Sequence, residues 1–426
     1  MKWKNELQRV LIVNASAIGE SSGTGVTLGN LWCDYPKENI LQIRIDCHEN
    51  IFDEDYHTIS TPVEFCAVPN KISIRRSVKR KTNITNTVLM SNTCIAQKGV
   101  KASVNDAIRG IFDSWPLKFS CLNERIDSFK PEVIYTCGAS IRILKTALYY
   151  SKRYDIPIVL HLMDDWPGTI YTTSWASTIF RGMVLSKLKQ VAQRSHRSFA
   201  ISEALAKKYE QMLGVEMLPL MNPAADIATD INTHDEGVVR FVYAGSLGIN
   251  RWKSLLDIAK YLQDEKGGES QFDLYVPKRF LMDEMVAAFE SYHAHLHAYV
   301  DRDELGKIYK RSDVMVYAES FDVNVAEFTK YSLSTKIPEY MGTGNAMLAY
   351  LPKSAHANDY IRDREVGFVA NTKEELAQVL HVILTDEQSR QEMAKRALEI
   401  DRNEHSAEVE KKKLYAALGY NVVRGS

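Results

Sequence analysis

The segment from Ser334 to Gly344 carries residue types that bind nucleotides. Its sequence, Ser-Thr-Lys-Ile-Pro-Glu-Tyr-Met-Gly-Thr-Gly, reads as a loop that opens a short helix. Ser334 or Thr335 can cap the first backbone amides, and the remaining amides and the helix dipole attract a diphosphate. Glu339, one turn further in, is placed to accept hydrogen bonds from ribose hydroxyls. The alternative interpretation is an ordinary capped helix with an acidic first turn.

Further charged residues follow two strands that the sequence predicts near this segment. Arg251 and Lys253 come after a strand that ends at Ala244, and Glu319 comes after a strand that starts at Val314. In an open parallel sheet, ligands bind at the carboxyl ends of the strands. Because cations at a helix start oppose the helix dipole, a bound anion explains Arg251 and Lys253 better than a solvated helix does. The pattern predicts that cations hold a diphosphate and carboxylates hold sugar hydroxyls.

Length and composition indicate a soluble protein of two α/β domains. The chain has 426 residues, of which 45% are hydrophobic and 25% charged, and its net charge of -1 gives no overall field for nucleic acid. The N-terminus leads into a strand with no apolar signal region, and no run approaches the roughly 18 apolar residues of a membrane-spanning helix. We therefore expect the chain in the cytoplasm.

Neither the cysteines nor the histidines form a pattern typical of a metal site. The cysteines show no CxxC pair and are expected as free thiols in a reducing compartment. The alternating residues His293, His295 and His297 would share one face of a strand, which lacks the convergence that metal coordination requires. We predict no metal. The six cysteines lie at positions 33, 47, 66, 94, 121 and 137.

Alternating strands and helices predict two Rossmann-like domains, each a doubly wound parallel sheet, facing a cleft. Residues 1–222 form the predicted first domain and 223–405 the second. Residues 406–426 form a C-terminal helix that packs back on the first domain. The predicted strands are 9–14, 39–46, 132–136, 156–162 and 198–201 in the first domain and 238–244, 272–276, 297–300, 314–318 and 346–350 in the second.

A glycine-rich loop follows the first strand. It contains Gly23 and Gly25, and glycines let the backbone come close to a ligand, so Gly25 is a candidate donor-binding residue. A dinucleotide site of the NAD type also needs such glycines and an acid about 20 residues on, a position that Asp46 occupies. The loop over 15–25 is longer than the tight dinucleotide turn. An NAD-type oxidoreductase therefore remains an alternative.

Three titratable residues lie at the end of a first-domain strand. They are His161, Asp164 and Asp165, which follow or end a buried strand. The sequence Asp-Asp-Trp-Pro is also typical of a structural turn, which is the alternative.

A basic segment between residues 71 and 101 has no acidic neighbour from Phe65 to Asn105. A solvated loop is the default interpretation. The alternative is a face for anionic lipid or a phosphorylated acceptor, with Arg75, Arg76 and Arg80 as the candidate contacts.

Taken together, these motifs resemble GT-B glycosyltransferases, most of all the retaining enzymes of glycosyltransferase family 4. The resemblance covers most of the chain and is more specific in the second domain. Its motifs are the run 243–248 with Arg251 and Lys253, the run 312–314 leading to Glu319, and the run 334–341, with weaker matches at 200–205 and 220–223.

This resemblance implies that the second domain binds a UDP- or GDP-sugar and the first binds the acceptor. Many members of the family have a His-Asp pair that faces the reacting sugar, so His161, Asp164 and Asp165 are candidates for proton transfer. Arg251 and Lys253 would hold the diphosphate, Glu319 the transferred sugar and Glu339 the ribose. Side chains and the helix dipole would offset the phosphate charge without a metal or cofactor. The donor site would also include Gly245, Ser334, Thr335 and Lys336.

Two departures from the family pattern affect these assignments. Glu319 and Glu327 have the seven-residue separation of the family's two glutamates, whereas Glu339 has the matching helical context. We favour Glu339, with an insertion over about 321–333. Ser246 stands where the family often has an arginine, so Arg251 would carry more of the phosphate binding.

The predicted function is transfer of a sugar, with retention, from a nucleotide-diphosphate sugar to a glycan or lipid-linked acceptor in surface polysaccharide biosynthesis. The protein would work in the cytoplasm, at the inner face of the membrane where the basic segment makes contact. A GT-B-fold sugar-nucleotide epimerase and a sugar-nucleotide sensor are alternatives.

Overall fold

A computed structural model describes residues 7–20, 22–47, 59–62, 116, 120–169, 175–224, 227–234, 237–264, 269–323, 325–326, 330–331 and 333–419. The chain divides into two compact units. The first consists of Met1–Asn222 and Glu410–Ser426, and the second of Pro223–Val409.

The first unit is a parallel sheet with the strand order β3-β2-β1-β4-β5-β6-β7. Every described pairing in it is parallel, and β1, β4 and β5 are buried throughout, as expected for a sheet covered by helices on both faces. The strands are β1 (Val10–Asn14), β2 (Ile40–Cys47), β3 (Ile59–Pro62), β4 (Val133–Thr136), β5 (Ile158–Leu162), β6 (Ser195–Ala200) and β7 (Leu218–Pro219).

Two helices of this unit begin just after a serine that caps them. Ser140 accepts a hydrogen bond from the amide of Ile143, and Ser202 accepts one from the amide of Leu205. The helices are α1 (Gly23–Trp32), α2 (Ser120–Phe129), α3 (Ile141–Tyr154), α4 (Trp166–Thr169), α5 (Trp175–Arg194) and α6 (Glu203–Leu213).

The glycine-rich segment is mostly helix, which corrects the predicted loop. Helix α1 begins at Gly23 because Ser22 caps it by accepting from the amide of Gly25. A Cβ on Gly25 would overlap Glu20, and one on Gly29 would lie 3.2 Å from the Cα of Gly19. Packing of the helix against the preceding loop therefore explains these glycines.

The second unit repeats this architecture with the strand order β10-β9-β8-β11-β12-β13, again parallel in every described pairing. Its strands are β8 (Val238–Ala244), β9 (Glu269–Val276), β10 (Ala294–Ala298), β11 (Val314–Ala318), β12 (Ala346–Tyr350) and β13 (Phe368–Ala370). Its helices are α7 (Arg251–Asp264), α8 (Asp283–Glu290), α9 (Arg302–Lys310), α10 (Lys336–Met341), α11 (His356–Arg364), α12 (Lys373–Thr385) and α13 (Glu387–Glu404).

The last helix, α14 (Ala407–Ala417), carries the chain back into the first unit, as the sequence predicted. Leu414 and Tyr415 are buried in the core of that unit with Trp32 and Tyr35. The rings of Tyr35 and Tyr415 meet edge to face, with their centroids 5.4 Å apart. Among the described helices, none is long and apolar enough to cross a membrane.

Candidate functional site

The carboxyl edge of the second sheet brings together most of the predicted donor-binding residues. Gly245 follows β8 directly, Glu319 follows β11, and Lys336 begins α10 ahead of β12. Tyr340 ties α10 to β8, because its hydroxyl accepts from the amide of Ala244 at 3.2 Å and donates to the carbonyl of Ala244 at 3.3 Å.

Arg251 and Glu319 form a bidentate ion pair at this edge. The guanidinium Nε lies 2.9 Å from Oε2 of Glu319, and Nη2 lies 3.0 Å from Oε1. The hydroxyl of Tyr317 donates to Oε1 at 2.9 Å. Burial lowers the pKa of Arg251, but the adjacent Glu319 carboxylate outweighs this effect and leaves that pKa raised, so the guanidinium stays charged.

Lys336 lies against Tyr243 and Gly245. Its Nζ is 4.6 Å from the centroid of the Tyr243 ring and 3.3 Å from the ring hydroxyl, which itself donates to the carbonyl of Ser246 at 2.6 Å. Gly245 has φ +153°, and a Cβ there would overlap the Lys336 ammonium. The backbone angle therefore favours glycine, and a larger residue here would also displace the flexible end of Lys336.

Glu339 is half-buried behind this cation. The hydroxyl of Tyr309 donates to Oε1 of Glu339 at 3.2 Å. Burial raises the pKa of Glu339, although the Tyr309 hydroxyl, Lys336 and Arg302 act in the opposite direction. The carboxylate thus lies near one positive charge on its own helix and one on α9.

The start of α10 differs from the predicted cap. Thr335 has helical backbone angles and makes no capping bond, while Ser334 accepts weakly from the amide of Lys336, at 3.4 Å to its Oγ. Helix α10 has six residues, and Tyr340 and the buried neighbours Ile337 and Met341 hold it in place.

Lys253 lies on the exposed side of α7. Its Nζ lies 5.7 Å from the centroid of the Trp252 ring on the same helix. Glu327, the other predicted candidate for the ribose-binding acid, lies outside the described residues.

In the first unit, His161, a predicted candidate for proton transfer, has both ring nitrogens engaged by groups of the protein. The ring is fully buried, Nε2 is 2.9 Å from the carbonyl of Leu220, and Nδ1 is 2.7 Å from the Tyr135 hydroxyl. A carbonyl only accepts, so Nε2 carries the proton and Nδ1 accepts from Tyr135. Burial lowers the pKa of His161 to about 4. Both nitrogens are therefore used inside the fold.

Asp165, another predicted candidate, is also bonded to groups of the protein itself. It is buried, with Oδ1 accepting from the Tyr209 hydroxyl at 2.6 Å and Oδ2 pairing with Lys208 at 2.6 Å. Asp164 is half-buried and accepts from the amide of Asp165 at 2.9 Å. Of the three predicted residues, Asp164 has the side chain best placed to meet a ligand.

The other predicted residues of the first unit are Gly25 and three arginines. Gly25 is explained by internal packing, as described above, and is not a ligand-facing loop residue. Arg75, Arg76 and Arg80 lie outside the described residues. In the part of the chain that the structure describes, no group of three His, Cys, Asp or Glu side chains could hold a metal ion.

The sequence patterns did not identify the tyrosines that surround the charged residues. Tyr317 lies two positions before Glu319 on β11, so both side chains face the same side of the sheet. That spacing could have identified it. Tyr243 stands inside the run that carried the resemblance, whereas Tyr309 comes from α9 and has no local signal.

Comparison with known proteins agrees with this architecture. Residues 239–414 match a protein-family model described as glycosyl transferase-like. No curated protein sequence matches the chain.

Several solved structures share the fold over nearly the whole chain. A glycosyltransferase from Rickettsia africae has a TM-score of 0.57 and 12% identity, covering 97% of this chain and 99% of that one. HepE from Anabaena in complex with UDP has a TM-score of 0.61 and 12% identity, covering 96% and 99%. Sucrose-phosphate synthase from Thermosynechococcus elongatus has a TM-score of 0.61 and 10% identity, covering 97% and 99%.

The two doubly wound parallel sheets and these likenesses define the GT-B fold. The residues that match the glycosyl transferase-like model, 239–414, include Gly245, Arg251, Lys336 and Glu339.

Proposed function

We propose that the protein is a retaining glycosyltransferase that uses a nucleotide-diphosphate sugar as donor. One observation carries the proposal: Arg251, Lys336 and Glu339 converge at the carboxyl edge of the second sheet, inside the glycosyl transferase-like domain. Two cations at this edge, with the half-buried Glu339 carboxylate near Lys336, suit a ligand that has a diphosphate at one end and neutral hydroxyls next to it.

Each part of the donor has a matching group in this arrangement. Arg251 and Lys336 would bind the diphosphate, with Lys253 and the amides of Ser334 and Thr335 as further donors. Glu339 would accept hydrogen bonds from the ribose. Positive charge held in place before the reaction stabilises a leaving diphosphate, because no groups need to reorganise as negative charge develops on it.

UDP is the nucleotide that we propose for this site, because HepE, a protein of the same fold, has been crystallised with UDP. A calorimetric titration with UDP, GDP and ADP tests the choice. We expect UDP to bind more tightly than the other two. Tighter binding of GDP would support the donor site but would replace uracil by guanine as its base. If none of the three nucleotides binds, the donor site is rejected.

The acceptor is proposed to meet the first unit, where Asp164 would lie near the reacting hydroxyl. The acceptor hydroxyl would lose its proton either to Asp164 or to the leaving phosphate. We propose a glycan or lipid-linked acceptor in surface polysaccharide biosynthesis. Product analysis by NMR after reaction with a UDP-α-sugar tests the stereochemistry, since an α-linked product indicates retention and a β-linked product would contradict it.

The reaction is proposed to need no metal, because the side-chain cations offset the phosphate charge. Turnover should persist in the presence of a chelator that removes divalent cations. Loss of turnover on chelation, restored by added Mg²⁺ or Mn²⁺, would show that side chains alone do not suffice.

We also propose that the basic segment, with Arg75, Arg76 and Arg80, brings the protein to the inner face of an anionic membrane. Each basic residue near such a surface contributes about 1 kcal/mol, and salt screens the attraction. Flotation with vesicles that contain phosphatidylglycerol should recover the protein at low salt and release it at high salt. A triple substitution of the three arginines by glutamine should abolish flotation, and recovery equal to that of the wild type would reject the assignment.

A further inference from the structure

The Glu319 carboxylate is fully engaged by groups of the protein itself. Its side chain is 5% exposed. Oε2 accepts from Nε of Arg251 at 2.9 Å, and Oε1 accepts from both Nη2 of Arg251 at 3.0 Å and the hydroxyl of Tyr317 at 2.9 Å. A carboxylate in this position has little accessible surface left to offer to the hydroxyls of a sugar.

The backbone at Glu319 is fixed as firmly as its side chain. The amide of Glu319 donates to the carbonyl of Tyr350 on β12 at 3.0 Å. Its carbonyl accepts from the hydroxyl of Ser254 on α7 at 2.7 Å. Because Ser254 lies one turn after Arg251, the same helix that carries the guanidinium also holds the residue that binds it.

The pairing uses only part of the guanidinium. An arginine side chain has five N–H groups in a rigid plane, and the two-bonded contact with Glu319 takes two of them. Three remain for another acceptor, and the Arg251 side chain is 21% exposed, four times as much as its partner. The arginine therefore offers a free edge, while the carboxylate does not.

We propose that Glu319 positions Arg251 for the diphosphate of the donor, with Tyr317 as its support, and that it does not bind the transferred sugar. This inference rests on the proposed function, because it assigns a role within the same donor site. A guanidinium that is already fixed in plane loses less side-chain freedom when it binds phosphate, so the ion pair increases affinity without touching the ligand.

The two roles for Glu319 predict different ligand dependence. Substitution of a residue that binds the sugar weakens the binding of UDP-glucose and leaves the affinity for UDP unchanged. Substitution of a residue that positions the phosphate-binding arginine weakens the binding of UDP and of UDP-glucose by the same factor. A comparison of UMP with UDP adds a further test. UMP lacks the β-phosphate, so the loss of a residue that positions the phosphate-binding arginine should weaken UMP binding less than UDP binding.

The test measures binding of UMP, UDP and UDP-glucose to the wild type and to Glu319→Gln by calorimetry. We expect Glu319→Gln to weaken both UDP and UDP-glucose by about tenfold, as for loss of a charge-assisted contact, with a smaller effect on UMP. Weakened UDP-glucose with unchanged UDP would overturn the proposal and return the sugar-binding role to Glu319.

Two further variants keep the test decisive if Glu319→Gln folds poorly. Tyr317→Phe removes the hydroxyl that donates to Glu319. It should weaken the binding of UDP and of UDP-glucose equally, by a few-fold. In an Arg251→Ala background, Glu319→Gln should have no further effect on UDP, because the group that it positions is gone. Glu304→Gln, at an exposed pair with Lys307 on α9, is the control and should bind UDP as the wild type does.

The outcomes also separate this proposal from the function on which it rests. If the wild type binds neither UDP nor UDP-glucose, the proposed donor is wrong and the positioning role falls with it. If the wild type binds both and Glu319→Gln and Tyr317→Phe bind both equally well, only the positioning role is overturned.

Discussion

The hydroxyl of Tyr309 donates a hydrogen bond to Oε1 of Glu339 across 3.2 Å, which joins α9 to the first turn of α10. The tyrosine is buried and the glutamate half-buried. One oxygen of the carboxylate is thereby held in place, and a ribose would meet an acceptor of fixed orientation.

This contact leads to a prediction for nucleotide binding. Glu339→Ala should weaken UDP binding by about 1 to 3 kcal/mol, since it removes a charged hydrogen-bond acceptor. Tyr309→Phe should act in the same direction with a smaller effect. Calorimetry measures both, and Glu399→Ala, at an exposed acid on α13, is the matched control. Unchanged UDP affinity in Glu339→Ala would reject the ribose assignment.

The buried imidazole of His161 predicts a pH dependence of stability. Its pKa falls from 6.5 to about 4 on folding because burial disfavours the charged form. Between these values the unfolded chain binds more protons than the folded one, so stability falls as the pH falls from 6.5 towards 4. The full effect is about 3 kcal/mol.

Chemical denaturation of the wild type and His161→Gln at pH 7 and pH 4.5 checks this prediction. The variant should be less stable at pH 7 but should lose less stability on acidification. His295→Gln, at an exposed position, should retain the pH dependence of the wild type. Turnover per folded molecule should be unchanged in His161→Gln, and a large loss of kcat at full folding would restore a catalytic role.

Gly245 predicts a steric effect on the donor site. Gly245→Ala would place a methyl group on the Lys336 ammonium and would strain a backbone with φ +153°, which costs about 1 to 3 kcal/mol. We expect UDP affinity to fall by as much as in Lys336→Ala, and the double variant to be no weaker than either. Gly306→Ala on α9, where an added Cβ meets no atom within 4 Å, should leave UDP affinity unchanged. Wild-type affinity in Gly245→Ala would mean that Lys336 does not contact the phosphates.

Substitution of the adjacent residues Asp164 and Asp165 should have different effects on stability and on kcat. Asp165→Asn breaks a buried pair with Lys208 and should lower stability by about 3 kcal/mol. Asp164→Asn should leave the midpoint of thermal unfolding near the wild-type value while lowering kcat by about tenfold or more. Thermal unfolding and steady-state kinetics measure the two effects. The opposite pattern, with Asp164→Asn unstable and fully active, would remove Asp164 from the reaction.

Much of the fold could be predicted because a parallel sheet buries continuous apolar runs. Val314–Ala318 and Ala346–Tyr350 are buried at every position, and such runs are read directly from sequence. The strand Phe368–Ala370 has three residues and was missed for that reason. The start of α1 at Gly23 was also missed, since glycine weakens the helix signal, and the Ser22 cap outweighs that weakness in the folded chain.

The site was harder to predict because its decisive contacts join distant residues. Arg251 and Glu319 are 68 positions apart, and their pairing changes which of them has surface to offer a ligand. Likewise, the bond from His161 to the carbonyl of Leu220, 59 positions later, turns a residue that could transfer protons into one that stabilises the fold. Residue types and strand ends predicted where the groups lie, but not which partners already hold them.

The return of the chain at Glu410 has a consequence for the order in which the protein folds during synthesis. The second unit begins and ends at neighbouring points, because Ala224 pairs with Ser406 and its amide donates to the carbonyl of His405 at 3.1 Å. The second unit is therefore complete on the ribosome while the first still lacks Leu414 and Tyr415, which complete its core. The half that is made first is therefore the half whose core is completed last.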